Sequence, residues 1–224
     1  MVTAVRVSAS GDGLLDPDGA TWRGAPGSGR GIAVERIKLM PTPLALQPSE
    51  YVQAKWKALR HGDTPEVRVA AAHNGQAIFF HLEWDDASDD SHPNDMADFP
   101  DQGGVMLPVK QDAVIEEMGD ASKPVNMWLW RGDIDPPFYV TAMGRGTTIR
   151  HPDSPLSGRG TWRNGVWSVV IGRPFNVSLP AQFVVPLAPG MTHKCTFAIW
   201  QGSNKERAGL KAYGPVWQPL VIAP

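Results

Sequence analysis

Glu66-Val-Arg-Val-Ala-Ala-Ala-His73 and Gln76-Ala-Ile-Phe-Phe-His-Leu-Glu-Trp84, joined through Asn74-Gly75, decide the fold class. Asn-Gly between two runs of β-forming residues is the strongest short-range hairpin signal, and it predicts a type I′ turn. In the second run Ile78, Phe80, Leu82 and Trp84 share one face, while Ala77, Phe79, His81 and Glu83 share the other, as a pleated strand requires. A second hairpin is predicted from Gly160-Thr-Trp-Arg163 and Val166-Trp-Ser-Val-Val-Ile171 around Asn164-Gly165. Further strands are expected at 103–109, 124–130, 137–143 and from Cys195 to Trp200. Shorter strand signals lie at 2–7 and, broken by prolines, at 32–46. Residues 49–60 read as one or two helical turns with Trp56 on the apolar side, and 24–31 as a Gly/Pro/Ser loop. About nine to twelve short strands with regular turn signals indicate an all-β antiparallel sandwich. No internal repeat interrupts 1–224, so one domain is expected.

Composition agrees. The chain has 224 residues, 23 Gly and 21 Pro, a density of punctuation that favours short elements and long loops over long helices. A formal net charge of -2 and the lack of a basic stripe exclude electrostatic attraction to nucleic acid. No run of 18 apolar residues exists, so no membrane span is expected. Met1–Asp12 holds no apolar stretch of signal length. One cysteine, Cys195, rules out an intrachain disulfide, covalent CxxCH haem attachment and a four-Cys iron–sulfur site. Nine Trp against three Tyr suggest a large pocket, a ligand platform or an aromatic interface.

Hydrolytic motifs are missing: there is no GxSxG, HExxH or Walker loop. The six His are scattered, and His81 reads as structural. The acidic run Asp85–Asp95 lacks the glycine and closing glutamate of a calcium loop, so it reads as a solvated loop. Two other features stand out. Met106 follows Gly104 on one strand face, where a glycine leaves room for a planar group to approach the backbone. Lys211 follows the polar loop Gln201–Gly209 and sits among Trp200, Tyr213 and Trp217. Taken alone, Met106 is a core filler and Lys211 a surface charge.

The ordered set Trp84-Asp-Asp86, Asp101-Gln-Gly-Gly-Val-Met-Leu-Pro108, Met118-Gly-Asp120, Val125-Asn-Met-Trp-Leu-Trp130, Arg173-Pro-Phe175 and Phe197-Ala-Ile-Trp-Gln-Gly-Ser-Asn-Lys-Glu-Arg207, leading to Lys211, changes that weighting. Across residues 66–217 it resembles the haem-binding γ subunits of the ethylbenzene dehydrogenase, dimethylsulfide dehydrogenase, selenate reductase and chlorate reductase group, molybdenum enzymes of the DMSO reductase family. The resemblance implies a β-sandwich with one haem b in a pocket at one end, bound axially by a methionine and a lysine. By position these are Met106 and Lys211, with Met118 and Lys205 as the alternatives. Trp128 and Trp200 are the candidate pocket walls, and Arg173 and Arg207 the candidate propionate donors. It also implies electron relay rather than catalysis in this chain. The partners would be an iron–sulfur β subunit, a molybdenum-cofactor α subunit and a soluble cytochrome or other carrier. The compartment would be the periplasm, reached with a signal-bearing partner, or the cytoplasm without one. The competing expectation is a Trp-rich binding module for carbohydrate or another apolar-faced ligand, which needs neither Met106 nor Lys211.

Overall fold

The structure, a computed structural model, describes residues 1–23 and 32–224. The loop expected at 24–31 lies outside the described residues. Strands in chain order are β1 (Val2–Arg6), β2 (Glu35–Lys38), β3 (Met40–Pro41), β4 (Glu66–His73), β5 (Ala77–Asp85), β6 (Gln102–Pro108) and β7 (Val125–Arg131). They continue with β8 (Ile134–Ala142), β9 (Ile149–Arg150), β10 (Ser157–Arg163), β11 (Val166–Pro174), β12 (Thr192–Trp200), β13 (Ala212–Tyr213) and β14 (Gln218–Ile222). Helices are short: α1 (Gly11–Leu15), α2 (Ala20–Arg23) and α3 (Glu50–Trp56). Among the described residues no helix is long and apolar enough to cross a membrane.

The all-β sandwich expected from the hairpins is present. One layer runs β10-β11-β5-β4-β1-β14, and the other runs β12-β6-β7-β8-β9. The strand β12 belongs to both: Thr192–Cys195 pair with β14, and Thr196–Trp200 pair with β6. Between the layers Phe80 meets Trp128 and Phe197 edge-on at 5.7 and 6.1 Å, and Trp130 meets Trp167 at 4.9 Å. Pairing is antiparallel with one exception. β1 runs parallel to both of its neighbours, β4 and β14. Such pairing needs long crossovers rather than hairpins, so the local pattern of 2–7 carries no trace of it.

The two Asn-Gly turns differ. Asn164 and Gly165 both have positive φ, 51° and 80°, which is the type I′ arrangement. In the first hairpin only Gly75 does, at 86°. There Asn74 Oδ1 accepts from the backbone N–H of Gln76 and Ala77. The turn is therefore centred on Gly75-Gln76, with glycine first, as a II′ turn demands. The amide of Asn74 satisfies the donors that the shifted turn exposes.

The helix at 49–60 forms as expected. Ser49 Oγ caps it by accepting from Val52 N at 3.4 Å, and Trp56 is buried. His81 is structural: its ring stacks on Trp22 at 5.0 Å, and Nε2 lies 2.8 Å from Ser168 Oγ.

Candidate functional site

Alternation along β6, β7 and β12 separates two environments. Val105, Leu107, Trp128, Trp130, Cys195, Phe197 and Ile199 point into the inter-layer core. Met106, Met127 and Leu129 point the other way, into a second apolar cluster with Met118 and Trp217. The register pairs Met106 with Met127 across β6 and β7, and with Thr196 across β6 and β12. The site therefore lies on the outward face of the second layer, under loops. This is more lateral than a pocket at one end of the sandwich.

Here a cavity of about 30 Å³ is lined by Gly104, Met106, Met118, Met127, Arg145 and Lys211, among others. A recess of about 470 Å³ adjoins it, sharing Met118, Met127, Leu129, Arg145, Trp200 and Lys211 as lining. The inner space has room for little more than a water, whereas the recess has the size of a small-molecule site. The room expected above Gly104 is partly taken, since a Cβ there would lie 2.6 Å from Leu129 Cδ2.

Lys211 is delivered by a loop fastened at several points. Its carbonyl accepts from Thr42 N at 3.0 Å. Glu206, fully buried, accepts from Gly62 N at 2.6 Å, Gln201 N at 3.1 Å and Asn204 Nδ2 at 2.8 Å. Burial holds that carboxyl above the usual range, and these bonds oppose the shift. Trp200 Nε1 donates to Ala208 O at 3.0 Å, and Gln47 Nε2 donates to Gly209 O at 2.9 Å. The Lys211 ammonium makes no ion pair among the described residues. Burial first, and the Arg145 charge second, bring its pKa down to about 8. A neutral amine is thus accessible near neutral pH, and only a neutral amine can ligate a metal.

The sequence candidates divide. Met106, Met118, Trp200 and Lys211 come together in the pocket, and Arg207 reaches the recess. Trp128 and Arg173 do not, which corrects their expected place. Trp128 is fully buried in the inter-layer core, and the Arg173 guanidinium lies 5.1 Å above its ring, donating to Val185 O. Both side chains follow the inward phase of their strands. Lys205 is also off the pocket, paired with Asp98 at 2.7 Å. Two lining residues were missed. Met127 was legible once β7 was paired with β6, because it alternates with Trp128. Arg145 lies between Gly144 and Gly146 and reads in sequence as part of a solvated turn.

The donors fit an axially ligated haem in kind: thioethers, a depressed lysine amine and apolar walls. They offer no open, carboxylate-rich metal geometry. The tryptophan surplus proves mainly structural. Trp84, Trp128, Trp130 and Trp167 all lie in the core, and among the described residues no tryptophan stands exposed as a flat platform.

The family model described as ethylbenzene dehydrogenase matches residues 32–146, about half of the chain. A protein of Haloferax mediterranei provisionally named as a respiratory nitrate reductase heme subunit is 28% identical over 177 residues, covering 79% of this chain and 61% of that one. The chain thus spans less than two thirds of that relative's length. The chlorate reductase subunit gamma of Ideonella dechloratans is 27% identical, with 96% and 82% covered, and the dimethylsulfide dehydrogenase subunit gamma of Rhodovulum sulfidophilum is 29% identical, with 90% and 73% covered. Among solved structures, one from Bacteroides uniformis, provisionally described as carbohydrate-binding, superposes with a TM-score of 0.55 at 14% identity, covering 99% of this chain and 97% of that one. That degree of likeness establishes shared fold alone.

Proposed function

Because the chain belongs to the ethylbenzene dehydrogenase family, we propose that it is a haem-carrying electron-transfer subunit of a multi-subunit oxidoreductase, acting as a single domain. The curated relatives named as heme and gamma subunits support this reading. The observation that carries it is Lys211: a buried amine, depressed to about 8, sharing one apolar pocket with Met106.

In this reading Lys211 Nζ and Met106 Sδ, which line one pocket, would hold the iron of a haem b. When bound, the haem would supply a reversible one-electron couple. The residues do the rest. Met106, a soft thioether, would favour the ferrous state and raise the potential. Lys211 would bind as the free base, having given its proton up to solvent. Met127, Leu129 and Trp200 exclude water from the faces of the site. With Lys211 and Met106 both committed to holding the group, the chain would offer substrate no place to react and would relay electrons instead. The donor would be an iron–sulfur subunit fed by a separate molybdenum subunit, and the acceptor a soluble cytochrome or similar carrier, or the reverse. The periplasm is the compartment proposed for that complex.

The test is an absorption spectrum of the purified chain before and after dithionite. The expected result is a Soret band that shifts and sharpens, α and β bands on reduction, and a b-type pyridine haemochrome. A featureless visible spectrum that persists after incubation with haemin overturns the proposal. Retention on polysaccharide by such a colourless protein would favour a carbohydrate-binding module instead.

A further inference from the structure

Among the described residues, two cations line the inner cavity. Lys211 has a role in the reading above, and Arg145 has none. The Arg145 backbone is firmly set. Gly144 N donates to Met118 O at 3.2 Å, Met143 N donates to Thr147 Oγ1 at 2.9 Å, and Thr147 Oγ1 donates to Gly144 O at 2.7 Å. This clip presents the side chain to both the inner cavity and the recess. Its Nε is buried and has no hydrogen-bond partner. Burial lowers the guanidinium's pKa, and the nearby Tyr213 and Glu116 oppose that shift without forming an ion pair among the described residues. A guanidinium kept in apolar surroundings with an unused donor is costly unless an anion completes it.

The other cations near this site are already engaged. Arg207 lies 4.3 Å from the centroid of the Phe99 ring, Lys205 is paired with Asp98, and Arg173 is in the core. We propose that Arg145 binds a carboxylate of the pocket's occupant, so that the site selects a planar apolar ligand carrying acid groups. This inference rests on the haem reading, under which the carboxylate is a propionate. Arg145 then does what sequence assigned to Arg173 and Arg207. A guanidinium suits the task because its fork matches the two carboxylate oxygens.

The experiment is an equilibrium titration of the apoprotein with haemin and with haemin dimethyl ester, which lacks the acid groups, followed by the Soret band. Wild type, Arg145→Gln and Arg145→Lys are compared. R145Q is expected to bind haemin about tenfold more weakly or worse, and R145K to fall between. The ester is expected to bind wild type and R145Q equally, which also shows that the R145Q pocket is folded. Equal haemin affinity in wild type and R145Q overturns the inference while leaving the haem reading intact. So does an equal loss of haemin and ester in R145Q, which would mark Arg145 as structural. Failure of the wild-type chain to take up either porphyrin overturns the haem reading itself, and this inference with it.

Discussion

The Lys211 ammonium lies 4.9 Å from the centroid of the Trp200 ring. Among the described residues, that ring face stands where a carboxylate would ordinarily be. A cation over an indole is stabilised by about 0.5–2 kcal/mol, too little to offset the burial that draws its pKa down to about 8. Lysine is thus held near the boundary between its two forms, and Trp200 sets part of that boundary.

Haem uptake should consequently depend on pH with a definite sign. Below pH about 8 a proton must leave Lys211 before it ligates, so affinity should fall tenfold per pH unit. Above that value it should be flat. Lys211→Ala should flatten this profile, and Trp200→Leu, by removing the ring, should move the break to lower pH by up to about one unit. Soret titrations across pH 6 to 10 check this, and an unchanged profile in Lys211→Ala would sink the assignment.

Three methionines line the inner cavity, so the thioether ligand can be found by elimination. Met106→Ala should displace the Soret and α bands or abolish haem retention. Met118→Ala and Met127→Ala should keep the spectrum and lose about 2–3 kcal/mol of stability or less, as truncated apolar contacts do. A normal spectrum in Met106→Ala beside a changed one in Met118→Ala would transfer the role.

Glu206 organises the loop that carries Lys211 by accepting from Gly62, Gln201 and Asn204. Glu206→Gln puts an amide donor against backbone donors. A cost of about 1–3 kcal/mol is expected, with faster hydrogen exchange at Gly62 and Gln201 and weaker haem binding. Exchange rates identical to wild type would refute that role.

Asp86 is another buried acid. Burial, then the nearby Asp101 carboxylate, raises its pKa from 3.8 to about 7. The folded state therefore binds a proton that the unfolded state releases. Stability from this group grows as pH falls from about 7 towards 3.8, by on the order of 1 kcal/mol per pH unit at most. Asp86→Asn should remove that slope, which denaturant unfolding of both proteins at pH 5 and pH 8 will measure.

Hairpins and face alternation were legible because they depend on neighbours in sequence. Val166–Ile171 and Ala77–Trp84 announced themselves through an Asn-Gly turn and period-two apolar residues. The parallel placement of β1 did not, since its partners β4 and β14 are remote in the chain. Met106 and Lys211, which the structure brings to one pocket, were singled out through a resemblance spanning ordered motifs, not from composition. Trp128 and Arg173 were misplaced because a strand's inward and outward phases look alike until its partner is known. Arg145 was invisible for a different reason. Flanked by glycines and threonines, it has the local character of an exposed turn, and only the fold over Met118 encloses it.

Fastening has a kinetic side. The 201–211 loop is tied to Thr42, Gln47, Gly62, Asp98 and Asp101. A segment held from such separated parts of the chain cannot follow a change of charge beside it by moving. In the haem reading, the donor atom of Lys211 would stay where it was when an electron arrives or leaves. The surrounding dipoles would be oriented beforehand, so little reorganisation would accompany the event. A clamp that serves stability in the resting molecule would thereby, in that reading, keep the barrier to electron exchange low in both directions.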